Sequence, residues 1–213
     1  MLGNSGSREA VVGLPEERQH SPAECALVFA VPTWREEFER AARGPGDFVP
    51  RMVKGNPGRS LQSLWIEYAQ VAEYARMLSA EARAMGALTT SNASLACWRS
   101  ALRQRPVNVL FAHCRPGEPG AVEFADGLYG VEEVATAVPR EFEGVIDFAV
   151  CHSLRLARLV KLRAPRSQVI GNLQATGLDT RLALLRQTLR LVAAGGNSYP
   201  GAMGLAALGR SSP

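Results

Sequence analysis

The sequence predicts an α/β protein, a three-layer α/β/α sandwich around a mostly parallel sheet. Two observations carry that expectation. Short apolar runs rich in β-branched and aromatic residues recur along the chain, and most are followed by a segment with three- and four-residue apolar spacing. A strand that is apolar on both faces must be covered on both faces, and helices placed between successive strands supply the covers. The 213 residues, 46% hydrophobic, suffice for one full-sized core. A single domain over residues 23–213 is expected, after a polar, aperiodic Gly/Ser/Glu/Arg-rich leader over 1–22 that is flexible or loosely attached.

The elements follow in order. CALVFAV (25–31), bounded by Pro32, reads as a fully buried strand, and TWREEFERAAR as a helix with Thr33 as N-cap and Glu36 closing a capping box. Gly44 to Gly58 is Gly/Pro-rich and reads as a long surface loop, long enough to lie over something. From Ser60, the stripe Leu61, Leu64, Trp65, Tyr68, Val71, Ala72, Ala75 and Leu78 marks a long amphipathic helix that ends at Gly86, its aromatics belonging to the core. ALTT (87–90) is a short edge strand, and SNASLACWRSALRQ a helix that runs to Pro106 and carries Cys97 as a structural residue.

VNVLFAHC (107–114) is the next strand. A Gly/Pro-rich turn follows, then a hairpin AVEFADGLYG with Asp126-Gly127 as its turn pair, a helix VEEVATAVP, and the strand GVIDFAVC (144–151). LRLARLVKLRAP is helical as far as Pro165, SQVIGN is a strand, and LDTRLALLRQTLRLVAAGG and PGAMGLAAL are the last two helices. No internal repeat is present.

No apolar run has the length of a membrane span, and the first residues lack a secretion-signal pattern, so a soluble, cytoplasmic protein with no membrane partner is expected. Cys25, Cys97, Cys114 and Cys151 are irregularly spaced with no C-x-x-C pair, which argues for reduced thiols rather than a disulfide framework. The net charge of +4 is concentrated: eight Arg and Lys residues between Arg155 and Arg190 face the single acid Asp179. Solvated faces of amphipathic helices account for such a run better than a nucleic-acid surface, because no aromatic or glycine motif accompanies the arginines. Direct nucleic-acid binding is therefore not expected.

Chemistry in an open α/β sheet sits beyond the carboxyl ends of its strands. VLFAHC brings His113 to one such end and VIDFAVCH brings Cys151 to another, and the hairpin and helix between them suffice to return the chain parallel and adjacent. An imidazole there could take the thiol proton and leave a thiolate nucleophile. The backbone N–H groups of Cys114 and Cys151 are the candidate oxyanion donors, and Gly117 and Gly120 would admit a substrate backbone.

A strand ending in His, a glycine-rich turn, the hairpin DGLYGVEEV leading into a helix, and GVIDFAVCHS closing on Cys together resemble the caspase-like cysteine peptidases. The likeness is strongest to the bacterial CHAT-domain branch and covers roughly residues 84 to 208 in pattern, with only the His and Cys motifs specific. It implies a caspase-type fold and a cysteine endopeptidase with His113 as base or ion-pair partner and Cys151 as nucleophile. It also implies a protein substrate, no cofactor and no metal, and an activating protein partner of the kind that gates bacterial effectors, antiviral defence being one such role.

One position departs from the pattern: Cys114 stands where the family usually has glycine after the histidine. This departure supports the alternative, a catalytically inactive caspase-like module that binds a partner. No third orienting residue is assigned; Glu118 and Asp126 are weak candidates, and Asp147 and Asn172 merely lie near strand ends. His152 neighbours Cys151 and on an extended backbone points to the opposite face, which also argues against zinc held by His113, Cys114, Cys151 and His152.

Overall fold

In a computed structural model of the chain, residues 9–12, 18–115, 120–172 and 177–209 are described, 9–12 and 115 as backbone only. The strands are β1 (Glu9–Val12), β2 (Cys25–Phe29), β3 (Leu88–Thr90), β4 (Val107–Phe111), β5 (Cys114–Arg115), β6 (Ala121–Phe124), β7 (Gly127–Gly130), β8 (Val145–Ala149) and β9 (Gln168–Asn172). The α-helices are α1 (Arg35–Ala41), α2 (Phe48–Gly55), α3 (Leu61–Ala84), α4 (Leu95–Gln104), α5 (Val131–Thr136), α6 (Leu154–Arg163), α7 (Leu178–Ala193) and α8 (Tyr199–Leu208). The main sheet runs β1-β9-β8-β4-β2-β3, and its five strands from β9 to β3 are parallel. A separate three-stranded sheet, β5-β6-β7, stands over the carboxyl end of β4.

Residue parity explains the layers. In β2, β4 and β8 the odd-numbered residues, among them Leu27, Val109 and Val145, pack with Leu78, Ala82, Leu182 and Leu189 of α3 and α7. The even-numbered ones, Val28, Leu110, Ile146 and Phe148, pack with Trp98, Val134 and Val160 of α4, α5 and α6. The architecture is thus the α/β/α sandwich that the alternation of apolar runs predicted. Among the described residues no helix is long and apolar enough to cross a membrane.

Of the stretch expected as a leader, residues 1–8 and 13–17 lie outside the described residues. Glu9–Val12 pairs antiparallel with β9. His20 is docked on the body, its Nδ1 accepting from the Tyr199 N–H at 3.1 Å.

Four local readings change. The first helix starts at Arg35, one residue later than a Thr33 cap implies, and Glu37 rather than Glu36 closes its end by accepting from the N–H groups of Thr33 and Trp34 and from the Thr33 hydroxyl. The Gly44–Gly58 stretch is not all loop: α2 forms within it, with Pro50 in the first turn, where a missing N–H leaves no bond unmade. The hairpin loop is Ala125-Asp126, because Phe124 pairs with Gly127. The apolar runs around His113 and Cys151 outlast their ladders: β4 stops at Phe111 and β8 at Ala149, so both side chains lie past the strand ends.

Five of the eight basic residues in this stretch pair with acids outside it. Arg186 and Arg190 both donate to Glu81, at 2.6 and 2.8 Å, while Arg155 pairs with Glu132 and Arg166 with Glu143. Arg181 is buried against Asp147 at 3.3 Å.

Candidate active site

The β4–β8 ladder sets the site. Its last pair is Phe111 with Ala149, so His113 and Cys151 each stand two residues beyond the same rung, at the carboxyl edge of adjacent parallel strands. This is the adjacency inferred from the crossover length. Beyond the rung the two paths diverge.

After Phe111 the chain enters the small sheet. The His113 carbonyl accepts from the Glu123 N–H at 2.9 Å, which makes the Cys114–Val122 pair a non-hydrogen-bonded one and turns the Cys114 N–H away from β6. After Ala149 the chain turns sharply through Cys151, His152 and Ser153 into α6, with His152 in the left-handed region at φ 51°. Two buried residues brace that turn. The Ser153 hydroxyl donates to the Phe148 carbonyl at 3.3 Å and accepts from the Asn172 N–H at 2.8 Å; the Asn172 Nδ2 donates to the Val150 carbonyl at 3.3 Å. Gly171 lets α6 close on β9, since a Cβ there would lie 2.9 Å from that of Ala157. The first turn of α6, with its partial positive charge, adjoins Cys151.

His113 is covered. The ring of Phe48, at the start of α2, stacks on the imidazole with centroids 3.4 Å apart and planes inclined by 13°. The His113 Nε2 is buried and makes no hydrogen bond among the described residues. Burial, aided by the charge of Arg51, pushes the imidazole down to about 3, so at neutral pH the ring is uncharged.

The cover is latched by Glu123. This inward-facing acid of β6, 8% exposed, accepts from the Phe48 N–H at 2.8 Å, and a Cβ on Gly46 would lie 2.2 Å from its Oε1, so any other residue at 46 would displace the carboxylate. Burial raises the Glu123 carboxyl despite the N–H groups of Phe48 and Asp47. Asp47 in turn pairs with Arg51 at 2.9 Å.

Cys114 and Cys151 are both half-buried. The Cys114 thiol is pushed up to about 11 by burial and by the charge of Cys151, against Arg51. The two thiols are therefore electrostatic neighbours.

Other candidates lie elsewhere. Asp126 accepts from the Leu95 N–H at 3.2 Å and so belongs to the start of α4. Asp147 lies within β8, 1% exposed, bound by Arg181 and by the Tyr199 hydroxyl at 2.8 Å. Glu118 and Gly117 fall outside the described residues, and Gly120 accepts from the Val131 N–H at 3.1 Å. A cavity of about 1070 Å³, lined by Arg105, Pro106, Gly144 and Gln168, opens at the opposite, amino edge of the sheet.

Phe48, Glu123 and Ser153 escape the sequence reading. An acid inside the apolar strand AVEF was a legible signal for Glu123, whereas Phe48 in a Gly/Pro-rich stretch gives none. The chain matches no protein-family model and no curated protein sequence.

Proposed function

We propose that the chain is a cysteine endopeptidase of caspase-like type, with Cys151 as nucleophile and His113 as base. The observation that carries this reading is the shared rung: His113 and Cys151 extend from the same position of neighbouring parallel strands. In the reaction, Cys151 gives its proton to His113 and its thiolate attacks the scissile carbonyl. The oxyanion is met by the N–H groups of Cys151 and of Cys114, the latter directed away from β6. His113 then protonates the leaving amine, and a water that it deprotonates resolves the thioester.

Gating is part of the proposal. An imidazole held near 3 under Phe48 is a poor proton acceptor at neutral pH, so α2 must lift before His113 can serve. A cytoplasmic protein partner that displaces Phe48 would supply the activation, as expected of a bacterial effector in settings such as antiviral defence. The same stack favours a second reading, a partner-binding module of this fold whose histidine is permanently covered. Cleavage mapping in cell extract with the wild type and Cys151→Ala, each with and without Phe48→Ala, separates the two. New protein termini that depend on Cys151 support the peptidase; their absence in both Phe48 backgrounds supports the module.

A further inference from the structure

We propose that the cavity at the amino edge of the main sheet binds a nucleoside monophosphate. Its volume is about 1070 Å³, the upper end of what small-molecule sites enclose and far more than a lone ion fills. The end of α4, the approach to β8 and the segment around His20 wall it. The length of β8, about 13 Å at 3.3 Å per residue, separates it from the Cys151 edge, so the inference stands apart from the peptidase reading.

Donors without partners line this cavity. Arg105, half-buried just past α4, has a buried Nε that makes no hydrogen bond, and no acid pairs with its guanidinium, among the described residues. Its charge is thus left to whatever occupies the cavity. Arg103 likewise pairs with no acid among the described residues. The remaining charges are mostly compensated: Arg18 pairs with Glu24 at 2.7 Å and Glu143 with Arg166 at 2.5 Å, which leaves Glu141, among the lining acids, against two arginines. His20 adds a third donor. Its Nδ1 accepts from the Tyr199 N–H at 3.1 Å, so in the neutral ring the hydrogen sits on Nε2. Burial lowers this imidazole, which keeps it neutral at pH 7.

A phosphate dianion offers the several acceptors that two guanidinium forks require, where a single carboxylate satisfies one. Pro106, Pro139 and Phe142 supply apolar wall for a heterocyclic base, and Glu141 and Gln168 carry oxygens that accept from ribose hydroxyls.

The test is calorimetric titration of the full chain with AMP, GMP, CMP and UMP at low salt, beside the parent nucleosides and inorganic phosphate. The expected result is binding of at least one nucleotide with a Kd below about 1 mM, weakened by added salt. Its nucleoside and inorganic phosphate, each lacking half of the contacts, should bind at least about tenfold more weakly. Imidazole NMR locates the site in the wild type: of the three histidines, His20 should shift on binding and His113, at the far edge, should not. Arg105→Gln and Arg103→Gln should each weaken binding by about tenfold, the loss of a charge-assisted contact. Arg103 is exposed, so its variant and the wild-type NMR decide the matter even where Arg105→Gln does not fold. The proposal is overturned if none of the nucleotides binds, if the nucleoside or inorganic phosphate binds as tightly as the nucleotide, if His113 shifts in place of His20, or if Arg103→Gln leaves the affinity unchanged. None of these readouts involves proteolysis, so a chain that binds the nucleotide yet cleaves nothing refutes the peptidase alone, and one that cleaves without binding refutes the ligand site alone.

Discussion

Phe48 and His113 lie ring on ring, 3.4 Å between centroids, with the Phe48 N–H anchored on Glu123 at 2.8 Å. Burial, to which this aromatic face contributes by replacing water that a charged imidazole would need, holds the histidine at about 3 together with the charge of Arg51. Phe48→Ala should return the His113 titration, followed by NMR of its imidazole, toward the ordinary value of about 6.5. Losing a half-buried ring should cost about 1–3 kcal/mol of stability. A titration unmoved from the wild type would show that Phe48 is not what desolvates the ring.

Acid should weaken the closed form. The folded-state value of His113, about 3, lies below its unfolded value, so between roughly pH 6.5 and 3 the unfolded or opened chain binds the extra proton. The contribution of this residue is fully present above pH 6.5 and is lost as pH falls, with a slope of up to about 1.4 kcal/mol per pH unit. Urea denaturation at a series of pH values should show this slope in the wild type and a smaller one in Phe48→Ala. Equal slopes in the two proteins would contradict it.

Ser153 braces the turn that presents Cys151. Ser153→Ala deprives the buried Asn172 N–H of its acceptor and should cost about 1–3 kcal/mol. It should also slow alkylation of Cys151 by iodoacetamide, relative to wild type at equal folded fraction, since the thiol is no longer held in one place.

Asp147 provides the control. Asp147→Ala leaves Arg181 buried without its carboxylate and removes the acceptor of the Tyr199 hydroxyl, for a loss of about 3–5 kcal/mol. Cys151 alkylation under native conditions should nevertheless keep the wild-type rate, because this pair sits within the sheet, on its α7 face, rather than at its carboxyl edge. A parallel loss of reactivity would tie Asp147 to the site.

The strands and most helices were legible because burial on both faces leaves continuous runs such as CALVF and VIDFA, and because Ser60 and Ser94 are ordinary N-caps, each accepting from the third residue of its helix. The adjacency of β4 and β8 followed from the length of the crossover between them. Strand ends were less legible: LFAHC and FAVC stay apolar past Phe111 and Ala149 because the core continues under loops as well as strands. The state of His113 was not legible at all. It depends on Phe48, in a Gly/Pro-rich stretch whose two-turn helix is fixed by packing of Val49 against Phe38, Leu64 and Tyr68 rather than by any local pattern. The partners of the charge run were not legible either, since Glu81, Glu132 and Glu143, which pair with four of its arginines, lie outside it in sequence.

The central claim is that His113 activates Cys151 once Phe48 is out of the way. The most direct measurement is the rate of Cys151 alkylation at pH 7 by limiting iodoacetamide, read by peptide mass spectrometry in the wild type, Phe48→Ala, His113→Ala and the double variant. The account predicts that Phe48→Ala reacts at least about tenfold faster than wild type, in keeping with a base restored to the range of the working pH. It predicts that the double variant falls back to the rate of His113→Ala. Equal rates for Phe48→Ala and the double variant would contradict it.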